Sequence, residues 1–272
     1  MDPVQPMLVA DAELQRALDC GELVRCYQPV YDLATGDVAQ VEALLRWEQR
    51  DGAVLTPGEF LPGHDDSTLL VRIGWSVVIG AVQRAAEWRH RFPDSPVVVS
   101  VNLFDSHLAL RELPNRVERL VDHHLDGGPG LAFEVGEHHA KPPRSRTRDR
   151  LTIIRNLGAA VVVDDFGAAA AATDDDAGTL RDDACERLES LRSFPLDVVK
   201  LAPAFVERLG DDERRRTVVD AAHASGIAVC ALAVEDDAGD ARARRAGCDL
   251  GQGFRYGRPT SADDVAELLA AR

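Results

Sequence analysis

Apolar residues recur with two different spacings along this chain. Short β-branched runs, such as Val97 to Val101 and Val198 to Leu201, are typical of buried strands. Longer stretches with an apolar residue at every third or fourth position, such as Ile73 to Trp88 and Leu113 to Leu125, predict amphipathic helices. Because the two patterns alternate, the chain is predicted to form an α/β fold with a largely parallel sheet. The remaining predicted helices cover residues 151–157, 180–191 and 214–224, a short segment between 231 and 250, and a segment capped by Ser261, and the remaining strands cover 131–134, 160–163, 228–231 and 250–254.

The alternation and the length of 272 residues fit a (β/α)8 barrel, which needs roughly 250 residues. The start of the chain departs from that plan. A short helix is predicted over Glu13 to Leu18, with Asp11 as its N-cap and Gly21 closing it. Two strand-like runs follow at 24–31 and 38–47, and the turn residues between them predict an antiparallel hairpin. We therefore expect a helical extension, residues 1–22, packed on a barrel domain of residues 23–272.

Charge and cysteine content narrow the possible partners. The formal net charge of −15 repels polyphosphate, so extended nucleic acid is not an expected partner, although local arginines or a metal ion could still hold a small anion. Five scattered cysteines without metal-binding spacing predict a reduced, cytoplasmic protein. No run reaches the roughly 18 apolar residues of a membrane span, and the first residues lack a signal-like pattern, so no membrane association is expected.

Polar side chains follow several of the predicted strands. Asn102, Glu134 and the pair Asp164-Asp165 end apolar runs, Lys200 follows Val198-Val199, and Glu42 interrupts an apolar strand. Since the carboxyl ends of barrel strands meet at one face, these side chains are expected to converge there. Oxygen ligands suit Mg²⁺ or Mn²⁺, and an adjacent aspartate pair is able to bridge two metal ions in phosphodiester hydrolysis.

The order of these motifs resembles that of the EAL domain, the bacterial family that hydrolyses cyclic di-GMP. The resemblance runs nearly end to end and implies a modified barrel with an antiparallel first strand. The matching segments are Tyr27-Gln28-Pro29-Val30, residues 42–47 (Glu-Ala-Leu-Leu-Arg-Trp), residues 57–62 (Pro-Gly-Glu-Phe-Leu-Pro), Ser100-Val101-Asn102-Leu103, Asp164-Asp165-Phe166-Gly167 and residues 247–253 (Gly-Cys-Asp-Leu-Gly-Gln-Gly).

The resemblance also implies a role for each matching residue. Lys200 and Gln252 match residues that position water and metal-bound groups, and Glu137 matches a carboxylate that anchors the loop after Asp164-Asp165. Arg46 would hold a ligand phosphate, and Gln28 lies where the family contacts the dinucleotide. The implied ligands of a first Mg²⁺ or Mn²⁺ ion are Glu42, Asn102, Glu134 and Asp164, with Asp165 implied for a second ion.

One departure from the family removes a group that hydrolysis needs. The family has Ala-Glu-Gly-Val-Glu at the end of the next strand, where this chain has residues 231–235, Ala-Leu-Ala-Val-Glu. Leu232 replaces the glutamate that helps to hold the second metal and is proposed as the general base, while Glu235 matches the second glutamate. Leucine neither binds a cation nor accepts a proton, and loss of a general base alone lowers a rate by about 10²–10⁴.

A second departure lies in the loop after Gly167. The family has a hydroxyl-rich segment there, whereas this chain has alanine at 168–172 and then an acidic cluster at 174–176. In active members the loop contributes to metal coordination and to dimerisation, so the resemblance leaves homodimer formation open. The run after Lys200 also lacks the family's acidic and basic residues. His138 and His139, for which a metal role is the alternative, are interpreted as exposed loop histidines, and the tryptophans at 47, 75 and 88 are interpreted as packing residues.

Three hypotheses remain open from the sequence. The leading one is a degenerate EAL protein with little or no hydrolysis, acting as a cyclic di-GMP receptor or through an unidentified protein partner. The second is a metal-dependent phosphodiesterase that releases the linear dinucleotide, with Glu235 or a loop carboxylate replacing the missing glutamate. The third is an interaction scaffold that binds neither metal nor nucleotide. Only the first metal site is expected to be complete.

Overall fold

Eight strands close into a barrel because the first strand pairs with both the second and the last. The structure, a computed structural model, describes residues 9–62, 68–125, 130–139, 145–168, 194–208 and 216–271. The strands, including a short outer strand β3, are β1 (Leu23–Asp32), β2 (Val38–Glu48), β3 (Val54–Leu55), β4 (Val98–Asn102), β5 (Leu131–Gly136), β6 (Ala160–Phe166), β7 (Val198–Leu201), β8 (Ala228–Ala231) and β9 (Leu250–Gln252).

Helices connect these strands in the alternating order that the sequence predicts. They are α1 (Asp11–Asp19), α2 (Pro57–Phe60), α3 (Thr68–Arg91), α4 (Asp105–Ala109), α5 (Leu113–Leu125), a 3₁₀ turn (Glu137–His139), α6 (Ser145–Asn156), α7 (Pro203–Arg208), α8 (Arg216–His223), α9 (Asp237–Ala246) and α10 (Ala262–Ala270).

The direction of β1 distinguishes this barrel from a wholly parallel one. β1 runs antiparallel to β2 and to β9, whereas every other neighbouring pair in the ring from β2 through β4 to β9 is parallel. The predicted hairpin and the modified (β/α)8 barrel with an antiparallel first strand are therefore confirmed. Because β2 and β4–β9 run the same way, their carboxyl ends open at one face, where polar side chains can meet.

Aromatic and aliphatic side chains fill the space between the strands and the surrounding helices. Trp47 and Trp88 are almost wholly buried and Trp75 nearly so, which confirms that the tryptophans are packing residues. Trp47 meets Phe60 edge to face, with ring centroids 5.6 Å apart. α3 is long and apolar enough to cross a membrane by length and composition alone, but 61% of its apolar stretch is buried in the protein, as in the core helix of a barrel.

The ends of several elements differ from the sequence prediction. α1 begins at Asp11, so Ala10 occupies the N-cap position, and Asp11 lies in the first helical turn. A carboxylate in that turn stabilises the helix through its dipole rather than as a cap. Ser261 does cap α10, with a reciprocal capping box to Asp264. The predicted strand at 250–254 ends at Gln252, and the predicted helix at 180–191 and the acidic cluster at 174–176 lie outside the described residues.

Candidate active site at the barrel mouth

A buried lysine joins two buried glutamates inside the barrel. Nζ of Lys200 lies 2.8 Å from Oε2 of Glu42 and 2.7 Å from a carboxylate oxygen of Glu134. All three side chains are almost completely shielded from solvent. Lys200 extends from β7, Glu42 from β2 and Glu134 from β5, so the lysine links strands from different parts of the ring. The sequence prediction that strand residues far apart in the chain converge is confirmed for these three.

Three further polar side chains complete the bonding around Glu42. Nδ2 of Asn102 donates to Oε1 of Glu42 at 2.8 Å, and Nε2 of Gln252 donates to Oε2 at 2.7 Å. Nε2 of Gln252 also donates to Oε1 of Gln28 at 3.3 Å. The strand pairing accounts for this, because Gln28 is paired with Glu42 across β1 and β2, and β9 pairs with β1 on the other side.

Burial and mutual repulsion shape the proton affinity of this cluster. Burial and the nearby Glu42 charge raise the pKa of Glu134 to about 8. Burial also raises the pKa of Glu42, but Lys200 and the bonds from Gln252 and Asn102 outweigh it and leave that pKa below its usual range. Burial opposes the charged form of Lys200, yet the surrounding carboxylates raise its pKa well above the ordinary value.

The donor set fits a hard divalent cation. Burial, together with repulsion from Glu42 and Asp165, raises the pKa of Asp164, so this carboxylate adds to the same excess of negative charge. Three carboxylates therefore share one ammonium group, and a divalent ion would neutralise the remainder. Oε1 of Gln252 is buried and has no hydrogen-bond partner among the described residues, so an oxygen ligand is available beside the cluster. Carboxylate and amide oxygens are the ligands that Mg²⁺ and Mn²⁺ prefer.

An irregularity in β6 gives its two aspartates different environments. The pairing of β6 with β7 shifts register between Val163 and Phe166, and Asp165 adopts a φ of 53°. Asp164 is half-buried, whereas Asp165 is exposed. Strand bulges redirect side chains in this way. The acidic pair thus lies within the strand and not after it. Asp164 is linked electrostatically to the Lys200 cluster through attraction to Lys200 and repulsion from Glu42.

The turn after β5 holds the start of the loop that follows β6. Oε2 of Glu137 accepts a hydrogen bond of 3.1 Å from the backbone N–H of Gly167. Gly167 has a φ of 91°, a conformation that glycine adopts without strain. This contact is the one that the resemblance implies for Glu137. Of the alanine-rich loop, only Ala168 lies within the described residues.

Residues 232–235 leave β8 at the same face of the barrel. The backbone N–H of Leu232 donates to the carbonyl of Leu201 at 3.2 Å, which places Leu232 beside the end of β7. The side chain of Leu232 is half-buried, and Glu235 is exposed. Ala233 has a φ of 50°, in the left-handed region that favours glycine.

The backbone of this segment is fastened to the residues after β9. Val234 donates to the carbonyl of Gln252 at 3.0 Å and accepts from the N–H of Arg255 at 3.0 Å. A Cβ at Gly253 would lie 2.2 Å from the carbonyl oxygen of Val234, so only glycine permits this approach. The glycine after Gln252 therefore has a structural reason to be there.

Arg46 lies nearer to the opening than Glu42. Both residues belong to β2, and their separation of four positions puts them on the same face of the strand. Arg46 is half-buried, and its guanidinium donates to the carbonyl of Leu45 at 2.7 Å. It is therefore placed near the mouth, within the described barrel, as a cation that an anionic ligand could reach.

Two features differ from the sequence analysis. Gln40 was not identified, although it is buried and its Nε2 lies 3.5 Å from Oε1 of Glu134. Its position two residues before Glu42, on the same face of β2, is the sequence pattern that indicates it. The prediction that both loop histidines are exposed is wrong for His139, which is buried with Nε2 2.6 Å from Oδ1 of Asp105. The 3₁₀ turn directs His138 and His139 into different environments.

Comparison with known proteins gives consistent matches along the chain. A family model described as EAL domain matches residues 11–259. The uncharacterized protein Rv1357c of Mycobacterium tuberculosis is 28% identical, over 98% of this chain and 84% of that protein. MucR of Pseudomonas aeruginosa, a bifunctional diguanylate cyclase/cyclic di-GMP phosphodiesterase, is 28% identical over 95% of this chain, which spans only 36% of that protein.

A solved structure has the same architecture. The PaMucR phosphodiesterase in complex with cyclic di-GMP superposes with a TM-score of 0.79 at 27% sequence identity. The superposition covers 93% of this chain and 98% of that one, so the barrels correspond nearly from end to end.

Proposed function

This chain belongs to the EAL domain family, the cyclic di-GMP phosphodiesterase family, and we propose that it is a cyclic di-GMP receptor with little or no hydrolytic activity. The observation that carries the proposal is the contrast between two parts of one site. Lys200, Glu42 and Glu134 form a tightly bonded buried cluster, whereas the end of β8 presents Leu232. The groups proposed to hold the metal ion and the nucleotide are thus present, whereas Leu232 is unable to act as an acid or a base.

Arg46 and Gln28 are the residues proposed to contact the nucleotide. A guanidinium is planar and matches two oxygens of a phosphate, which suits Arg46 at the mouth. Gln28 is buried, and its Nε2 already donates to the carbonyl of Gly257 at 3.1 Å, so its side chain is held in place before a ligand arrives. A preorganised side chain loses little entropy on binding.

Glu42, Asn102, Glu134 and Asp164 are proposed to hold one Mg²⁺ or Mn²⁺ ion. When bound, such an ion supplies positive charge to phosphate oxygens and lowers the pKa of water. Lys200 would keep Glu42 ionised, and the bonds from Asn102 and Gln252 would fix its orientation. Asp165 is the remaining proposed ligand of a second ion, but it is exposed, and Leu232, where the family has a glutamate, offers no side-chain oxygen to share that ion.

Hydrolysis is expected to fail at proton transfer. Attack by water on a phosphodiester requires a base within hydrogen-bond reach. Glu235 lies three residues beyond Leu232 and is exposed, and within the described ranges no bond links it to the Lys200 cluster. The nucleotide would therefore remain intact after binding, as a receptor requires.

Calorimetric titration with cyclic di-GMP, with and without Mg²⁺ or Mn²⁺, tests the proposal together with chromatography of the nucleotide after incubation. Saturable binding without conversion to the linear dinucleotide is expected. An Arg46→Ala variant should weaken binding by roughly tenfold or more, as loss of a charge-assisted hydrogen bond does. Brisk conversion by the wild-type protein would overturn the receptor proposal, and absence of any binding would favour a ligand-free scaffold that acts through a protein partner.

A metal-dependent phosphodiesterase is the second candidate function. The network of Glu42 with Asn102, Gln252 and Lys200 favours it, because this network brings together two of the ligands proposed for the first ion. Weak conversion by the wild-type protein should then disappear in Glu42→Ala and in Asp164→Asn. Conversion that persists unchanged in both variants would come from a contaminating enzyme.

A further inference from the structure

Three side chains outside the Lys200 cluster converge where the loops after β4 and β5 meet. Asp105 begins α4, and His138 and His139 belong to the 3₁₀ turn that follows β5. One ligand atom from each residue lies within 4.8 Å of the other two. Nε2 of His138 is 3.4 Å and Nε2 of His139 is 2.6 Å from the same oxygen, Oδ1 of Asp105.

We propose that Asp105, His138 and His139 form a separate metal site, distinct from the two ion positions implied at the barrel mouth and selective for Zn²⁺ and similar transition-metal ions. Two imidazoles and one carboxylate are a common zinc ligand set, in which a fourth position is left for water or a further ligand. Imidazole nitrogen suits Zn²⁺, Co²⁺ and Ni²⁺ better than Mg²⁺ or Mn²⁺. The chemistry of this site therefore differs from that of the all-oxygen cluster around Glu42.

The distances fit an ion with small adjustments. Ligands bound to zinc at 2.0–2.1 Å in tetrahedral geometry lie about 3.4 Å apart. The separation of His138 from Asp105 already has this value, at 3.4 Å, and His139 needs to move by less than about 1 Å from its 2.6 Å hydrogen bond. The rings of the two histidines lie with centroids 4.0 Å apart and planes tilted by 41°, and the Nε2 atoms of both rings approach the same carboxylate oxygen of Asp105.

The three side chains differ in burial, so that packing fixes one of them while an ion from solvent is able to reach the other two. The side chain of His139 is 3% exposed, whereas those of His138 and Asp105 are 58% and 62% exposed. One ligand is therefore fixed by packing while solvent reaches the other two. A Cβ at Gly136 would lie 2.8 Å from Nδ1 of His138, so the glycine leaves the space that the ring occupies.

An ion at this position would act on the nucleotide site through the chain itself. His138 follows Glu137 directly, and Glu137 accepts the N–H of Gly167 at the start of the loop after β6. Metal ligation of His138 and His139 would fix the 3₁₀ turn and hence the position of that carboxylate. Zn²⁺ and similar ions would thus restrict the movement of Glu137 without binding to the carboxylates around Glu42.

Equilibrium dialysis of the full chain against Zn²⁺ in excess Mg²⁺ tests the site, with Co²⁺ absorption in the visible range as a probe of histidine ligation. The His138→Ala/His139→Ala variant should bind one equivalent of Zn²⁺ fewer than the wild type and lose the Co²⁺ bands. His123→Ala/His124→Ala, which removes a second adjacent pair with ring centroids 4.6 Å apart, is the matched control and should behave as the wild type.

Single variants keep the test valid if the loss of buried His139 harms folding. His138→Ala and Asp105→Asn change exposed side chains, and each should weaken Zn²⁺ binding by roughly 100-fold, since even residues that only support metal ligands change affinity by 10–100-fold. Equal zinc stoichiometry and affinity in the wild type and in both single variants would overturn the proposal. Loss of binding in the His123/His124 control as well would also overturn it.

Discussion

The ammonium group of Lys200 lies 2.8 Å from a carboxylate oxygen of Glu42 inside the barrel. The chain contains only two lysines, at 141 and 200, although arginine is abundant. A compact ammonium with three donors fits between two buried carboxylates, whereas the larger planar guanidinium has a different donor geometry. The choice of lysine at 200 thus follows from the shape of the site.

Replacing Lys200 with methionine should destabilise the protein by about 3–5 kcal/mol, because it removes the cation that lies between the buried carboxylates of Glu42 and Glu134. Urea denaturation at neutral pH measures the change. Arg255→Met, which removes an exposed 2.6 Å ion pair with Asp237, should have little effect and serves as the control. A Lys200→Met protein as stable as the wild type would show that the buried carboxylates are neutral without the lysine.

Introducing the absent acid, by Leu232→Glu, should produce or increase release of the linear dinucleotide from cyclic di-GMP with Mg²⁺ or Mn²⁺. A gain of about 10²–10⁴ over the wild type is expected if a general base is the missing component. Leu232→Gln has a similar size but cannot accept the proton, so it should stay near the wild-type rate. If chromatography detects no added linear dinucleotide with Leu232→Glu, the loop after Gly167 would be the cause of the missing activity.

Ala233→Gly should stabilise the protein by about 0.5–1 kcal/mol, because relief of the left-handed backbone exceeds the entropy that glycine adds to the unfolded chain. Ala233 is exposed and has a φ of 50°, so no packing is lost. Chemical denaturation provides the measurement. The same change at the exposed helical position Ala241 should instead cost about 1 kcal/mol, and equal effects at both positions would contradict the strain argument.

Glu22 should make stability depend on pH in the acid range. Hydrogen bonds from Arg16 and Trp47 lower the pKa of Glu22 to about 2. The unfolded chain binds this proton near pH 4.3, so the stabilisation is present above about pH 4.3 and is lost as the pH falls towards 2.

Denaturation curves between pH 6 and pH 2.5 test this dependence. Glu22→Gln should flatten the loss of stability below about pH 4.3, and Arg16→Met should flatten it partly, because Trp47 and Arg50 still donate to Glu22. An identical acid dependence in the wild type and Glu22→Gln would mean that other carboxylates dominate.

The sequence pattern predicted the order of the strands because buried strands and amphipathic helices differ in apolar period. Val198 to Leu201 and Ala228 to Ala231 coincide with β7 and β8 residue by residue. The predicted N-cap was correct for α10 and wrong for α1. Ser261 is a cap because a carboxylate three residues later reciprocates its bond, whereas the acidic residue at 11 works equally well inside the first turn.

Within the site, the convergence of Glu42, Glu134 and Lys200 could be predicted from their positions in parallel strands. Their pairing could not, because it depends on the register that closes the ring through β1. Gln40 was missed because a single glutamine two residues before Glu42 resembles an ordinary strand residue. The burial of His139 depends on a 3₁₀ turn that adjacent histidines do not specify.

The close contact between Gly253 and the backbone of Val234 separates the framework of this face from its chemistry. The segment that carries Leu232 is held by its main chain, through bonds to Leu201, Gln252 and Arg255, and so its course does not depend on the side chain at 232. Evolution could exchange that side chain without rebuilding the barrel. If the receptor proposal holds, one side-chain exchange at position 232 would be enough to change the chemistry of this face while its backbone stays the same.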